Sequence, residues 1–177
     1  MEFDFKQNHF ALFGLPQSFD VPADALEAAY RDWQAKVHPD RFAHASDAEK
    51  RASMQWATHV NEAYQTLKKP VARGRYMLSL QGVDTQEESN TAMAPAFLMQ
   101  QMEWREALMD AKMASDIGAL EQLEKELKQE MRERSAALGQ TIDAAKDYTR
   151  AAELVRELRF VEKLLQEINQ AYDALDA

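Results

Sequence analysis

Apolar residues recur at helical intervals along most of this chain, and the breaks in that rhythm divide it into elements. Phe5 to Leu12 is apolar-rich and predicts a first helix, stopped by Gly14 and Pro16. A second helix is expected to start near Pro22, a residue suited to a first helical turn. It carries Leu26, Tyr30, Trp33 and Val37 at i, i+4, i+7 and i+11. It should end before Pro39, because proline disfavours the α conformation in the residue preceding it. A polar loop follows, from His38 to about Asp47. A third helix, from about Ala48 to Leu67, has an apolar face of Trp56, Val60, Ala63, Tyr64 and Leu67. A connection of about ten residues between the second and third helices favours an antiparallel hairpin. After Pro70, a short helix over Val71–Leu80 ends at Gly82, a good residue for terminating a helix.

Residues 83–94 are polar and aperiodic, and are expected to be a linker. From Pro95 onward the helical rhythm returns, with helices over about 95–113, 116–142 and 146–176. The middle one offers Leu120, Leu123, Leu127, Met131 and Leu138. The last offers Leu154, Leu158, Val161, Leu165, Ile168, Tyr172 and Leu175, a seam of alternating fours and threes. Short turns between three helices imply an antiparallel three-helix bundle. The expected fold is therefore all-α, with domains at 1–82 and 95–177.

The first bundle helix has more apolar surface than one core face needs. Phe97, Gln101, Trp104, Leu108 and Ala111 form a sufficient stripe at 100° per residue. Leu98, Met99, Met102, Met109 and Met113 lie on a different side, bordered by Glu103, Glu106 and Asp110. That side either packs on another part of the chain or forms an adaptable, acid-rimmed docking surface, for which methionine is well suited. Phe160 falls about 100° off the Val161 seam, so it is either a bundle-flank residue or part of such a surface.

Charge sharpens this division. The chain of 177 residues carries a net charge of −9. Residues 1–82 hold ten basic and ten acidic residues, and residues 83–177 hold eleven and twenty. The acidic half repels phosphate backbones, which argues against a nucleic-acid partner and favours a basic one. No apolar run is long enough to span a membrane, and Met1 to Phe5 lacks the features of a secretory signal. With no cysteine, thiolate metal sites and thiol nucleophiles are excluded, and a reducing compartment suits the chain.

The candidate chemistry lies in His38-Pro39-Asp40, followed by Arg41-Phe42. Alone, the tripeptide reads as a helix-ending proline with a turn-favouring aspartate. His38, Asp40 and His44 could also be read as a metal-dependent hydrolytic group, but no cysteine, no His pair at i, i+4 and no paired glutamates support it. His9 and His59 read as helix-surface or packing residues. Position changes the reading of the tripeptide. It stands at the tip of the expected hairpin, with Arg31 and Lys36 before it and Arg41 after it. The next helix continues Asn61-Glu62-Ala63-Tyr64 to Leu67, then Pro70, Arg73 and Tyr76. This arrangement resembles the J domain. Proline stiffens such a tip, and a short carboxylate can accept a bidentate bond from a partner's arginine. The resemblance implies docking on the ATPase domain of a 70-kDa heat-shock chaperone through His38, Pro39, Asp40, Arg31, Lys36 and Arg41, with no catalytic residue and no cofactor in this chain.

The similarity extends over nearly all 177 residues to the HscB family of J-domain co-chaperones of iron–sulfur cluster assembly. It is carried by Phe10-Ala-Leu-Phe-Gly-Leu-Pro16, Arg75-Tyr-Met-Leu-Ser-Leu-Gln-Gly82, Ala96-Phe-Leu-Met99 with Glu103, Arg105 and Glu106, and Leu158-Arg-Phe-Val-Glu-Lys-Leu164. The resemblance implies an L-shaped, cytoplasmic bacterial protein with the scaffold IscU as client and HscA as chaperone. The family's scaffold-binding positions fall on Leu98, Met99, Met102, Glu103, Glu106, Asp110 and Phe160. Met102 stands where a leucine is usual and Asp110 where a glutamate is usual, and both keep the chemical character. The chain lacks the cysteine-rich metal-binding extension of some eukaryotic relatives, so no metal role carries over. A J protein with a different client is the alternative within the same class.

Overall fold

The computed structural model describes residues 4–90 and 92–177. The first three residues of the opening read above against a secretory signal, and Thr91 of the expected linker, lie outside the described residues. The chain divides into two compact units, Met1–Tyr76 and Met77–Ala177. All regular elements among the described residues are helical. They are α1 (His9–Leu12), α2 (Ala23–Val37), a 3-10 turn (Pro39–Phe42), α3 (Asp47–Lys68), α4 (Pro70–Leu80), α5 (Pro95–Met113), α6 (Ile117–Gly139), a π-helical turn (Gln140–Ala145) and α7 (Tyr148–Leu175).

The first helix is shorter than the pattern predicts. Asn8, in extended backbone, accepts a hydrogen bond from the Ala11 N–H at 2.8 Å and caps α1. Asp4 likewise accepts from the Lys6 N–H at 2.9 Å. Such local side-chain bonds offer the backbone an alternative to helix, so Phe5 to Asn8 stay outside it. Pro22 precedes the first residue of α2 rather than opening the helix itself, with its carbonyl taking the Leu26 N–H at 3.0 Å. At Gly82, φ of +74° lets the Val83 N–H reach the Leu78 carbonyl and the Gly82 N–H reach that of Ser79, closing α4 in a Schellman motif.

In the first unit α2 and α3 pack as an antiparallel hairpin. Tyr30 stacks on Tyr64 with 3.9 Å between ring centroids and donates to the Asn61 side chain at 2.9 Å. Further along α2, Trp33 lies 5.4 Å from Trp56, so partners on α3 recede as α2 advances. Trp33 also donates its indole N–H to the Leu12 carbonyl at 2.9 Å, tying α1 to the hairpin. The core holds Phe10, Leu26, Val37, Trp56, Val60, Ala63 and Leu67. A Ser46–Glu49 capping box starts α3.

A histidine pair closes one end of that core. The His9 ring stacks on Tyr76 at 4.2 Å, and His59 lies 5.7 Å away. His9 Nδ1 and His59 Nε2 are buried without hydrogen-bond partners. Burial first, then the neighbouring His59, holds His9 below its ordinary 6.5, against the opposing pull of Glu62. The fold therefore favours neutral His9, and the unfolded chain binds that proton more tightly. This contribution to stability is present above pH 6.5 and is lost as pH falls through 6.5 towards the lower folded value. Thermal melts from neutrality to about pH 5 should show stability declining, with a shallower slope for His9→Gln. An unchanged slope in that variant would remove His9 from the account.

The second unit is an antiparallel bundle of α5, α6 and α7. Phe97, Trp104, Leu108 and Ala111 meet Leu120, Leu123 and Leu127 of α6 and Val161, Leu164, Ile168 and Ala171 of α7. On α7 the buried stripe is wider than the expected seam. Leu164 is fully buried, Leu165 is only partly so, and Ala151, Ala152 and Val155 are also inside. One helix packing on two neighbours needs a broader apolar stripe than a two-helix seam. The long middle helix ends at Gly139 and widens into the π turn, which Lys146 closes with φ of +51°. The α helix expected to 142 therefore stops three residues earlier. Within residues 83–90, Thr85 is buried and its carbonyl accepts from the Arg156 guanidinium at 3.1 Å.

Candidate functional site

Two exposed surfaces carry the candidate residues, one on each unit. On the first, Val37 is the last buried residue of α2. Pro39 holds His38 in extended backbone, with φ of −62° and ψ of 136°, and then opens the 3-10 turn. His38 Nδ1 accepts the Asp40 N–H at 3.2 Å and the His38 carbonyl accepts the Arg41 N–H at 3.0 Å. The Asp40 carboxylate is 92% exposed and lies 3.6 Å from His38 Nδ1. Among the described residues no Lys or Arg stands within ion-pair distance of it. A rigid turn thus presents an uncommitted carboxylate to solvent.

The three expected cations do not share one flank. Arg31 and Lys36 project about 140° apart around α2 at 100° per residue. Arg31 is engaged by Glu27 on its own helix at 3.2 Å. Lys36 lies 4.8 Å over the Trp33 ring, and Arg41 is exposed in the 3-10 turn itself. His44 is exposed beyond that turn, and no cluster of three or more metal-capable side chains occurs among the described residues.

On the second unit, α5 turns Phe97, Trp104, Leu108 and Ala111 inward. Leu98, Met99 and Met102 are 42%, 64% and 72% exposed, and Glu103, Glu106 and Asp110 are exposed beside them. Phe160 is half-buried. Its ring meets Phe97 edge-on at 6.1 Å and packs against the bundle core. Phe160 therefore belongs both to the flank of the core and to the edge of the exposed face. Arg105 lies over it, 5.3 Å from the ring centroid, and pairs with Glu167. Sequence reasoning did not single out Arg105 as a site residue. Its position seven residues after Leu98, on the same flank, is the signal that identifies it. Met109 and Met113 continue the exposed stripe beyond Asp110.

A helical hairpin with His-Pro-Asp at its tip, followed by a three-helix bundle, defines the class: a J-domain co-chaperone. Comparison with known proteins narrows it. Residues 93–169 match the family described as the HSCB C-terminal oligomerisation domain. The co-chaperone protein HscB homolog of Azoarcus sp. is 52% identical over 176 residues, 99% of each chain. That of Cupriavidus taiwanensis is 54% identical over 171 residues, 97% of each chain. The solved structure of the chaperone HscB from Vibrio cholerae superposes with a TM-score of 0.83 at 36% identity, covering 96% of this chain and 99% of the other. The chain belongs to the HscB co-chaperone family.

Proposed function

We propose that this chain stimulates ATP hydrolysis by a chaperone of the HscA class and delivers to it the scaffold IscU, assisting iron–sulfur cluster assembly in the bacterial cytoplasm. The labour is divided between residues 1–82, which engage the chaperone, and 95–177, which carry the client, with 83–94 between them. The observation that carries the reading is the exposed Asp40 carboxylate on a stiff turn, free of any Lys or Arg among the described residues and so open to a partner's arginine. His38 and Pro39 shape the turn, and Arg31, Lys36 and Arg41 supply the positive field around it. Leu98, Met99, Met102 and Phe160 are the apolar centre of the client face, with Glu103, Glu106 and Asp110 at its rim.

The test is steady-state ATP turnover of the purified chaperone, with and without this chain and the scaffold. Stimulation by the chain, increased further by the scaffold, is the expected result. A turnover that stays at the unstimulated rate would falsify the reading. A second copy of this chain is the rival occupant of the α5 face, favoured by the oligomerisation label of the matched family. Sedimentation at micromolar concentration distinguishes it from the scaffold.

Electrostatic steering gives a further expectation. Lys36 and Arg41 adjoin the turn, whereas Arg31 is engaged by Glu27. Lys36→Glu with Arg41→Glu should slow association more than Arg31→Glu, and added salt should slow the wild type most. Stopped-flow association rates that are independent of salt would show that these cations are only a solvated helix face.

A further inference from the structure

The exposed face of α5 is built largely of thioethers. Met99, Met102, Met109 and Met113 are 64%, 72%, 61% and 81% exposed. With Glu106 they follow the spacing i, i+3, i+7, i+10, i+14, and all five fall within an arc of about 80° on a helix of 3.6 residues per turn. That arc lies on the side of α5 opposite Phe97, Trp104 and Leu108. The chain has no cysteine, so thioethers are its most readily oxidised side chains. The other described methionines are Met77, which is buried, Met93 and Met131, which are half-buried, and Met54 on α3, which is exposed. Four of the five exposed methionines among the described residues therefore stand on one helix face.

We propose that this methionine stripe is an oxidation site through which peroxide-class oxidants release the client; the inference rests on the reading of the α5 face as the client-docking surface. In each event the thioether sulfur attacks one oxygen of hydrogen peroxide. The O–O bond breaks and an S–O bond forms. A proton passes to the leaving oxygen, sulfur is oxidised by two electrons, and the peroxide is reduced to water. The product sulfoxide is polar and requires hydrogen bonding, so burying it against an apolar partner costs affinity. The carboxylates of Glu103, Glu106 and Asp110 that border the stripe accept hydrogen bonds and give that oxygen no donor. The bundle core is untouched, because the stripe faces away from it, and reduction of the sulfoxides by methionine sulfoxide reductases restores the apolar face.

The experiment treats the full chain with hydrogen peroxide, maps oxygen addition by peptide mass spectrometry, and titrates the product against the scaffold protein. The four stripe methionines should oxidise before Met77, Met93 and Met131. Scaffold affinity should fall at least about tenfold while the melting temperature holds. The Met99→Leu, Met102→Leu, Met109→Leu, Met113→Leu variant, measured against its own untreated affinity, should be insensitive to peroxide, whereas Met54→Leu alone should protect nothing. Failure of the untreated wild type to bind the scaffold would overturn the docking reading, and this inference with it. Normal binding of untreated chain, with no loss after complete oxidation of the stripe, would overturn the inference alone. So would an equal loss in the four-leucine variant.

Discussion

Asp40→Asn should leave the fold intact and abolish stimulation of the partner chaperone's ATPase. The substitution keeps the shape of the side chain and removes its charge. Within the chain that charge does little, since the carboxylate is 92% exposed and its near neighbour is His38 rather than a Lys or Arg. Melting temperature and circular dichroism should therefore match the wild type. At an interface the balance reverses. A carboxylate desolvated against an arginine accepts two charge-assisted bonds, and removing one member of such a pair costs about 2–5 kcal/mol. That corresponds to an affinity loss of about thirtyfold to several thousandfold, enough to return steady-state turnover to its unstimulated rate. Full stimulation by a folded Asp40→Asn chain would end the reading of this turn as the docking tip.

The second large effect is expected on α5. Leu98→Ala with Met102→Ala should weaken scaffold binding strongly and barely change stability. Both side chains are exposed, so neither truncation opens a cavity. Central anchors of an interface can each contribute about 2 kcal/mol or more, or about thirtyfold in affinity. Phe160→Ala should behave differently and lower both binding and melting temperature, because its ring supports Phe97 and carries Arg105. A variant combining all three would confuse the two effects, so the pair and the single change belong in separate measurements. Neutralising Glu103, Glu106 and Asp110 should cost less and act mainly on association rate. Unchanged affinity of the Leu98, Met102 pair variant, measured by titration, would remove the apolar centre from the client face.

Much of the architecture was legible because its punctuation is chemical. Pro39 sets the end of α2, Pro70 and Gly82 bracket α4, and Pro95 opens α5 at the residue the pattern indicates. The second apolar stripe of α5 was legible too, but the pattern left open whether it packs on another part of the chain, and only the structure leaves its methionines exposed. What failed depended on contacts that periodicity does not encode. Asn8 competes with α1 through a bond to Ala11, and nothing in the spacing of Phe5 and Leu12 reveals it. On α7 a regular seam anticipates one neighbour, but the helix meets two, so Leu164 goes inside and Leu165 to the edge. Residues 140–145 have ordinary helical composition and give no sign of a π turn. The role of Phe160 was half legible: its angle off the seam is right, and only packing shows that an off-seam ring can still support the core.

The burial boundary at Val37 separates two kinds of lesion. From His38 to Arg41 the turn contributes almost nothing to the core, while Trp56, Val60 and Leu67 of α3 contribute little but core. On the proposed reading, abundance and partnership therefore rest on separate residues. On that same reading, a substitution in the turn produces a full complement of well-folded molecules that occupy the client without passing it on. Such a lesion is dominant in character, whereas loss of a buried tryptophan merely lowers the dose.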